Sequence, residues 1–394
     1  MLKSTIALDV FSPAALTADQ LSQVALGPFP IQSLFSTMSL TMNSNTVTVN
    51  INDVLPAYLN MLETRELSRY NGACPVKSDT YYNYDDAVNA VNSPFAGWES
   101  CVDTDLATRG SYALDSVSAY AGGKQTLTFT CFEPLLISPA IWGNCKSNNS
   151  GIYGIVNCSL LFNIGNTSRV LRYAPSSTVT SVAFAQNGIQ PGTTILFLNY
   201  LTPHPSQLLS SKCCVPYYDV PRYISSIADT IPAVAKVGNK FVPSSDGAGT
   251  VIRSQSLQLN QIPDKLIIYV RETNPVPTAG ANAPIDGSIP DRFLAITNIN
   301  VNWNNMSGML SSFSQYDLWR ASVDAGSSQS WNAYRGFASV LAPTFTAPAG
   351  AGPCVVSQTK SDVALTGSLL VLDMARTIAL VNDFDAPKLG VKVI

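Results

Sequence analysis

"IPDKLIIYVRE", Ile262 to Glu272, contains an unbroken run of five apolar or aromatic residues, Leu266 to Val270. Asp264 and Lys265 close it on one side, Arg271 and Glu272 on the other. A run this short and β-branched predicts a strand covered on both faces, Leu266 to Val270, with the charges marking where it emerges. Such a strand suits the parallel sheet of an α/β enzyme as well as an antiparallel sandwich. The surrounding pattern decides between them.

Strand patterns dominate on both sides. "STMSLTMNSNTVTVNI" (36–51) alternates, breaks at Asn-Ser-Asn and alternates again, which predicts a hairpin. Further strands are expected in 124–132, 154–164, 179–185 and 193–201, and then in 254–262, 264–272, 293–304, 367–374, 377–381 and 389–394. Short strands with turn signals between them point to sandwiches or barrels rather than βαβ units. Helices are few. The spacing predicts one over 54–70, with Leu55, Tyr58, Leu59, Leu62 and Tyr70 near one face and Glu66 interrupting it. It predicts a second over 307–323, capped by Ser307, and a weaker third over 17–26. Pro, Gly and Ser punctuate 202–250, which marks a boundary. The expected organisation is an N-terminal unit over 1–215, a connecting segment over 216–250 and a C-terminal unit over 251–394. Each unit is long enough for an eight-stranded sandwich. The turn-rich stretches 274–291 and 342–353 are expected as surface loops.

At 394 residues the chain can bury a sizeable core without disulfides. Apolar residues make up 46% and charged residues only 12%, about half the usual share. Low charge weakens repulsion between copies and favours dense assembly. Net charge is −3, and Lys and Arg are scattered, which disfavours a basic nucleic-acid-packaging arm. No run is long enough to span a membrane as an apolar helix. The first twenty residues read as a mature N-terminus rather than a signal peptide. The eight Cys form no CxxC pair and are expected as reduced, partly buried thiols. Four Asn-x-Ser/Thr sequons, at 148, 157, 166 and 305, are no more than a Ser/Asn-rich chain produces by chance.

Chemistry is sparse. The single histidine, His204, lies between prolines, so His-rich metal sites are excluded and one imidazole remains for catalysis. No GxSxG, Walker, GxGxxG or HExxH motif is present. The acidic pairs Asp85-Asp86, Asp103/Asp105 and Asp383/Asp385 could bind calcium or serve a glycosidase, but turn capping accounts for them more simply. No catalytic, metal or cofactor-binding residue is assigned, and no cofactor is expected. Aromatic residues concentrate instead. Tyr81, Tyr82 and Tyr84 form one group, Tyr217 and Tyr218 another, and Trp319 and Trp331 lie in the C-terminal half. Core packing is the plain reading; anchors of a protein–protein interface are the sharper one.

The ordered series "QIPDKLIIYVRE", "FLAITNINVNWNNMSGMLSSFSQYDLWRASVDAGSSQSWNAYRG" and "GSLLVLDMARTIAL" resembles the C-terminal part of double-jelly-roll major capsid proteins of DNA viruses. These occur in adenovirus-like, Polinton-like, virophage and large nucleocytoplasmic groups. The N-terminal half, with "TMSLTMNSNTVTVNINDVLP", matches a first jelly roll by strand pattern. The resemblance implies an all-β fold of two antiparallel eight-stranded jelly-roll sandwiches side by side, with a few short helices in loops. It further implies a non-enzymatic capsid protein of the virion, assembled in the host cell. Homotrimeric pseudo-hexagonal capsomers would tile an icosahedral shell, without sequence-specific nucleic-acid binding. Its other partners would be minor capsid or penton proteins and a host receptor. The alternative from a different class is a β-sandwich carbohydrate- or receptor-binding attachment protein, motivated by the Tyr-rich loops and acidic pairs. A glycosidase using Asp85, Asp86 and Glu99 comes third.

Overall fold

The computed structural model describes residues 1–15, 24–70, 72–76, 115–137, 154–165, 170–173, 179–189, 192–198, 220–226, 263–271, 293–303, 306–346, 355–364 and 366–374. It also describes 167, 236–237, 240–241, 251–254, 256–257 and 376–377. Strands account for most of the regular structure, and no described helix is long and apolar enough to cross a membrane.

The N-terminal half runs β1 (Leu2–Phe11), β2 (Val24–Leu26), α1 (Pro30–Ser33), β3 (Phe35–Met42), β4 (Asn45–Val49), α2 (Ile51–Met61) and α3 (Thr64–Leu67). It continues through β5 (Ser116–Val117), β6 (Lys124–Glu133), β7 (Cys158–Ile164), β8 (Leu171–Tyr173), β9 (Ser181–Ile189) and β10 (Ile195–Leu196). β1 is central to one antiparallel sheet. It pairs with β6 along its whole length, and on its other edge with β9 and β10. A second sheet has the order β4-β3-β7. Alternation dictates which residues are buried. Leu2, Ile6, Leu8 and Val10 of β1, Leu127 and Phe129 of β6, and Met38 and Val49 of the second sheet share one apolar cluster with Ile51, Leu55 and Leu59 of α2.

The expected hairpin is present as β3–β4, in register Met42↔Asn45. Its two-residue turn places Asn43 and Ser44 at positive φ, the mirror-image turn that follows the twist of a hairpin. The helix expected over 54–70 is shorter and broken. It starts at Ile51, stops at Met61 and resumes as α3 and a 3₁₀ turn, Ser68–Tyr70. Leu62 is extended there, which ends the helix before the stripe reaches Glu66. β1 was not expected. Its even-numbered residues face the core, but Ala7 and Asp9 are buried too, so the alternation is blurred. Among its described residues, the stretch 193–201 contributes β10 alone. Most of the helix expected over 17–26 lies outside the described residues; its end, Val24–Leu26, is a strand.

The C-terminal half includes β11 (Lys236–Val237), β12 (Lys240–Phe241), β13 (Lys265–Ile268), β14 (Val301–Trp303), β15 (Met306–Met309), α4 (Gln315–Asp324), α5 (Trp331–Arg335), β16 (Phe337–Thr346), β17 (Val355–Ala364) and β18 (Leu370–Asp373). The opening stretch forms β13, antiparallel to β18 with Leu266↔Leu372 and Ile268↔Leu370 in register. The strand ends at Ile268 rather than Val270, and its residues are half-buried rather than buried. It is nevertheless covered on both faces. Leu266 and Ile268 pack with Leu318, Tyr334, Leu370 and Leu372; Ile267 and Tyr269 pack with Phe293, Leu369 and Val371. The deepest strand is its partner, β18. Gly367 leads into β18 at φ +88°, with the Phe293 carbonyl lying where a Cβ would project, so only glycine fits there.

Two further expectations are corrected. The helix expected from Ser307 begins at Gln315, because Ser314 and Asp317 form a reciprocal capping box; Met306–Met309 is a strand. The loop expected over 342–353 is in part β16, which runs to Thr346 and pairs with β17 over ten residues. Pro343 is tolerated because β16 has a ladder partner on one side only among the described residues. The strands expected over 377–381 and 389–394 lie outside the described residues, Thr377 excepted, and most of 254–262 does too.

Candidate functional site

Helix α2 belongs to both halves. Ile51, Leu55 and Leu59 enter the N-terminal core, while Ala57 and Met61 pack with Phe293, Ala325, Leu369 and Val371 of the C-terminal half. A helix with an apolar stripe on two faces must be covered on both, which makes it a seam.

Polar contacts fasten the seam at each end. Asp53, in the first turn of α2, has a buried carboxylate held by two arginines. Arg222 from the segment between the halves takes Oδ2, and Arg271 from the end of the opening stretch takes Oδ1. The Tyr269 hydroxyl donates to the Asp53 carbonyl at 2.9 Å, and Arg271 Nη1 approaches the Asn52 carbonyl at 3.5 Å. Pro56 explains part of this. Inside the helix it lacks the N–H that would bond the carbonyl four residues back, which is that of Asn52. At the other end the Ser328 hydroxyl lies within donating distance of two carbonyls near the helix terminus, Asn60 at 3.0 Å and Leu62 at 2.7 Å. Lys265, at the start of β13, donates to the Ala325 carbonyl past the end of α4 at 2.6 Å, a cation at a helix C-terminus.

The charges that close the opening stretch therefore do more than mark its exit from the sandwich. Lys265 secures a helix in its own half, and Arg271 crosses to the other. Asp53, Arg222 and Tyr269 were not among the expected site residues. Their partners lie at sequence separations of 169 to 218 residues, beyond the reach of any local pattern.

Of the expected interface aromatics, Tyr81, Tyr82, Tyr84, Tyr217 and Tyr218 lie outside the described residues. Trp319 and Trp331 come together with Tyr316, with ring centroids 5.3 to 5.7 Å apart and rings tilted or edge-on to one another. Trp319 Nε1 donates to the Gln329 carbonyl at 2.9 Å. Both tryptophans are half-buried against the C-terminal core, whereas Tyr316 is 51% exposed. The cluster is a packed corner with one open edge. Asp85, Asp86, Glu99, Asp103, Asp105, His204, Asp383 and Asp385 lie outside the described residues. Among the described residues no group of three or more His, Cys, Asp or Glu is placed to hold a metal. Cys74, Cys131 and Cys158 are free thiols, the first two buried. Burial pushes both buried thiols well above their ordinary range, with the nearby Glu133 adding to the shift.

A family model for the Sputnik virophage major capsid protein first domain matches residues 1–201, and one for the major capsid protein V20 C-terminal domain matches 220–391. The putative capsid protein V20 of Sputnik virophage is 25% identical over 378 residues. The match covers 91% of this chain and 56% of that protein, so the chain spans little more than half of its relative's length. Among solved structures, the Sputnik virophage by cryo-EM superposes with a TM-score of 0.72 at 22% identity, over 96% of this chain and 71% of that one. The mavirus major capsid protein superposes with a TM-score of 0.59 at 14% identity, over 95% and 71%. These likenesses show the fold, a double jelly roll, as the resemblance of the C-terminal series implied. Because the first-domain model alone takes in half of the sequence, the chain belongs to the virophage major capsid protein family.

Proposed function

We propose that this chain is a structural shell protein of a virion, which self-assembles and catalyses nothing. The single observation that carries this reading is that both halves match successive domains of one capsid protein family, 1–201 and then 220–391. The seam at α2 supports it physically. It joins the halves through shared apolar packing and two arginines on a buried carboxylate, which suits a subunit that assembles as one two-lobed block.

The finer reading is a homotrimer. Residues 1–215 form the first jelly roll, 216–250 connect, and 251–394 form the second. Three two-lobed copies around a threefold axis give a six-lobed, pseudo-hexagonal capsomer, a closed cyclic assembly that can tile an icosahedral shell. Tyr81, Tyr82, Tyr84, Tyr217, Tyr218, Trp319 and Trp331 are candidate contact residues, with Tyr316 now added as the exposed member of its cluster. Minor capsid or penton proteins and a host receptor would be the other partners. Sedimentation of the purified chain tests this. A species of three times the 42.1 kDa chain mass, and hexagonal arrays by electron microscopy, are expected. A stable monomer at micromolar concentration that never assembles would overturn the reading.

A further inference from the structure

The outer face of the β4-β3-β7 sheet carries no charge. Neither Phe35–Val49 nor Gly154–Ile164, the segments that build it, contains Asp, Glu, Lys or Arg, although charged residues make up 12% of the chain. Strand register sorts its side chains into rows. Thr46, Thr41 and Ser159 form one row. Thr48, Ser39 and Leu161 form the next, and Thr37 stands beside Asn163 in a third. The polar groups satisfy one another: Ser39 Oγ lies 2.8 Å from Thr48 Oγ1, Thr41 Oγ1 lies 2.8 Å from Thr46 Oγ1, and Asn163 donates to Thr37 Oγ1 at 2.6 Å.

Two physical consequences follow. In each hydroxyl pair one donor is already used within the face, so covering the sheet strands fewer donors than an unpaired face would. The apolar group on it gains from being covered: Leu161 is 57% exposed. β7 is also an edge, since its far side pairs with no strand among the described residues. Soluble proteins usually blunt such edges with Lys, Pro or other charges, and β7, "CSLLFNI", has none.

From these features we infer that the outer face of β4-β3-β7, centred on the row Thr48–Ser39–Leu161, is a contact surface for a second copy of this chain. The occupant follows from the chemistry. A charge-free face offers nothing to a charged partner, yet it meets the same face of a second copy without like-charge repulsion, although the chain as a whole carries a net charge of −3. The inference rests on the shell reading, in which other copies are the neighbours at highest local concentration.

Leu161→Lys combined with Thr48→Lys tests it, with sedimentation and thermal melting measured on the same samples. The expected result is loss of assembly, at least tenfold in the concentration required, with the monomer's melting temperature unchanged because both positions are exposed. Ser159→Cys supplies a second readout, because Ser159 stands on the outer face in the row of Thr46 and Thr41, whereas Cys158 pairs with Met42 and alternates to the other side. Maleimide labelling at position 159, mapped by mass spectrometry, should fall at least fivefold on assembly. If the unaltered chain assembles while the double variant assembles equally well and the thiol of Ser159→Cys stays reactive, the face is open to solvent or to another partner. That outcome overturns the inference and leaves the shell reading standing. If the unaltered chain never assembles, the shell reading fails and this contact falls with it.

Discussion

Glu133 ends β6 with its carboxylate fully buried. It accepts from the backbone N–H groups of Ile31 at 2.7 Å and Gln32 at 3.1 Å, and from the Gln32 amide at 3.4 Å. The thiols of Cys74 and Cys131 bear on it, and neither brings positive charge. Burial raises its pKa to about 7, although the backbone N–H bonds pull the other way. The folded value therefore lies above the unfolded one. This group's contribution to stability is full below pH 4.5 and is lost as pH rises through about 7, because the folded state binds the extra proton in that window. The loss amounts to about 3 kcal/mol at roughly 1.4 kcal/mol per pKa unit. Glu133→Gln, a neutral residue of the same shape, should remove the dependence. Urea unfolding at pH 5 and pH 8 should show the variant gaining on the parent as pH rises. Parallel pH profiles for the two proteins would refute this account of Glu133.

At the scale of elements, α2 determines how the halves sit together, and its clamp can be dissected. Removing one partner of a buried ion pair leaves an uncompensated charge and costs about 3 kcal/mol or more. Asp53→Ala strips the partner from two arginines at once and should approach that cost. Arg271 is the less exposed of the pair, at 25% against 44% for Arg222, and solvent screens Arg222 more. Arg271→Ala should therefore cost more than Arg222→Ala. Calorimetry should show a single transition in the parent and two in Asp53→Ala, because the halves lose their coupling while each keeps its own core. A single transition shifted by less than one degree would mean that apolar packing by Ala57 and Met61 holds the seam alone. This element also shows what a sequence reveals. The β3–β4 hairpin was legible because its alternation and its turn are both local. The stripe of α2 was legible in the same way, through Leu55 and Leu59. The clamp was not, because Asp53 and Arg271 stand 218 residues apart and no local pattern links them. The start of α4 was misplaced at Ser307 because four serines, 307, 311, 312 and 314, precede it, and only Ser314 has an acid three residues later to close the box. β1 escaped because both of its faces are covered. β16 escaped because Ala342, Pro343 and Thr344 read as a turn until β17 is set beside them.

At the scale of the whole molecule, the low charge that suggested assembly has a consequence for solution behaviour. With 23 basic and 26 acidic residues in 394, and a charge-free sheet face offered to a neighbour, association has few ion pairs to draw on. Burial of apolar and internally paired hydroxyl surface must drive it, and that contribution is entropic near room temperature and insensitive to simple salt. Screening lengths fall from about 10 Å at 0.1 M to about 3 Å at 1 M, so an assembly held by surface charges would loosen across that range. We expect the opposite pattern here. Raising NaCl from roughly 0.1 to 1 M should shift the assembly midpoint by less than about threefold, while warming from roughly 10 to 30 °C should tighten it. Light scattering at fixed protein concentration measures both. A tenfold loss of assembly with salt would show that ion pairs between copies dominate, and would move the search for the contact surface away from the hydroxyl-lined sheet towards the scattered Lys and Arg residues.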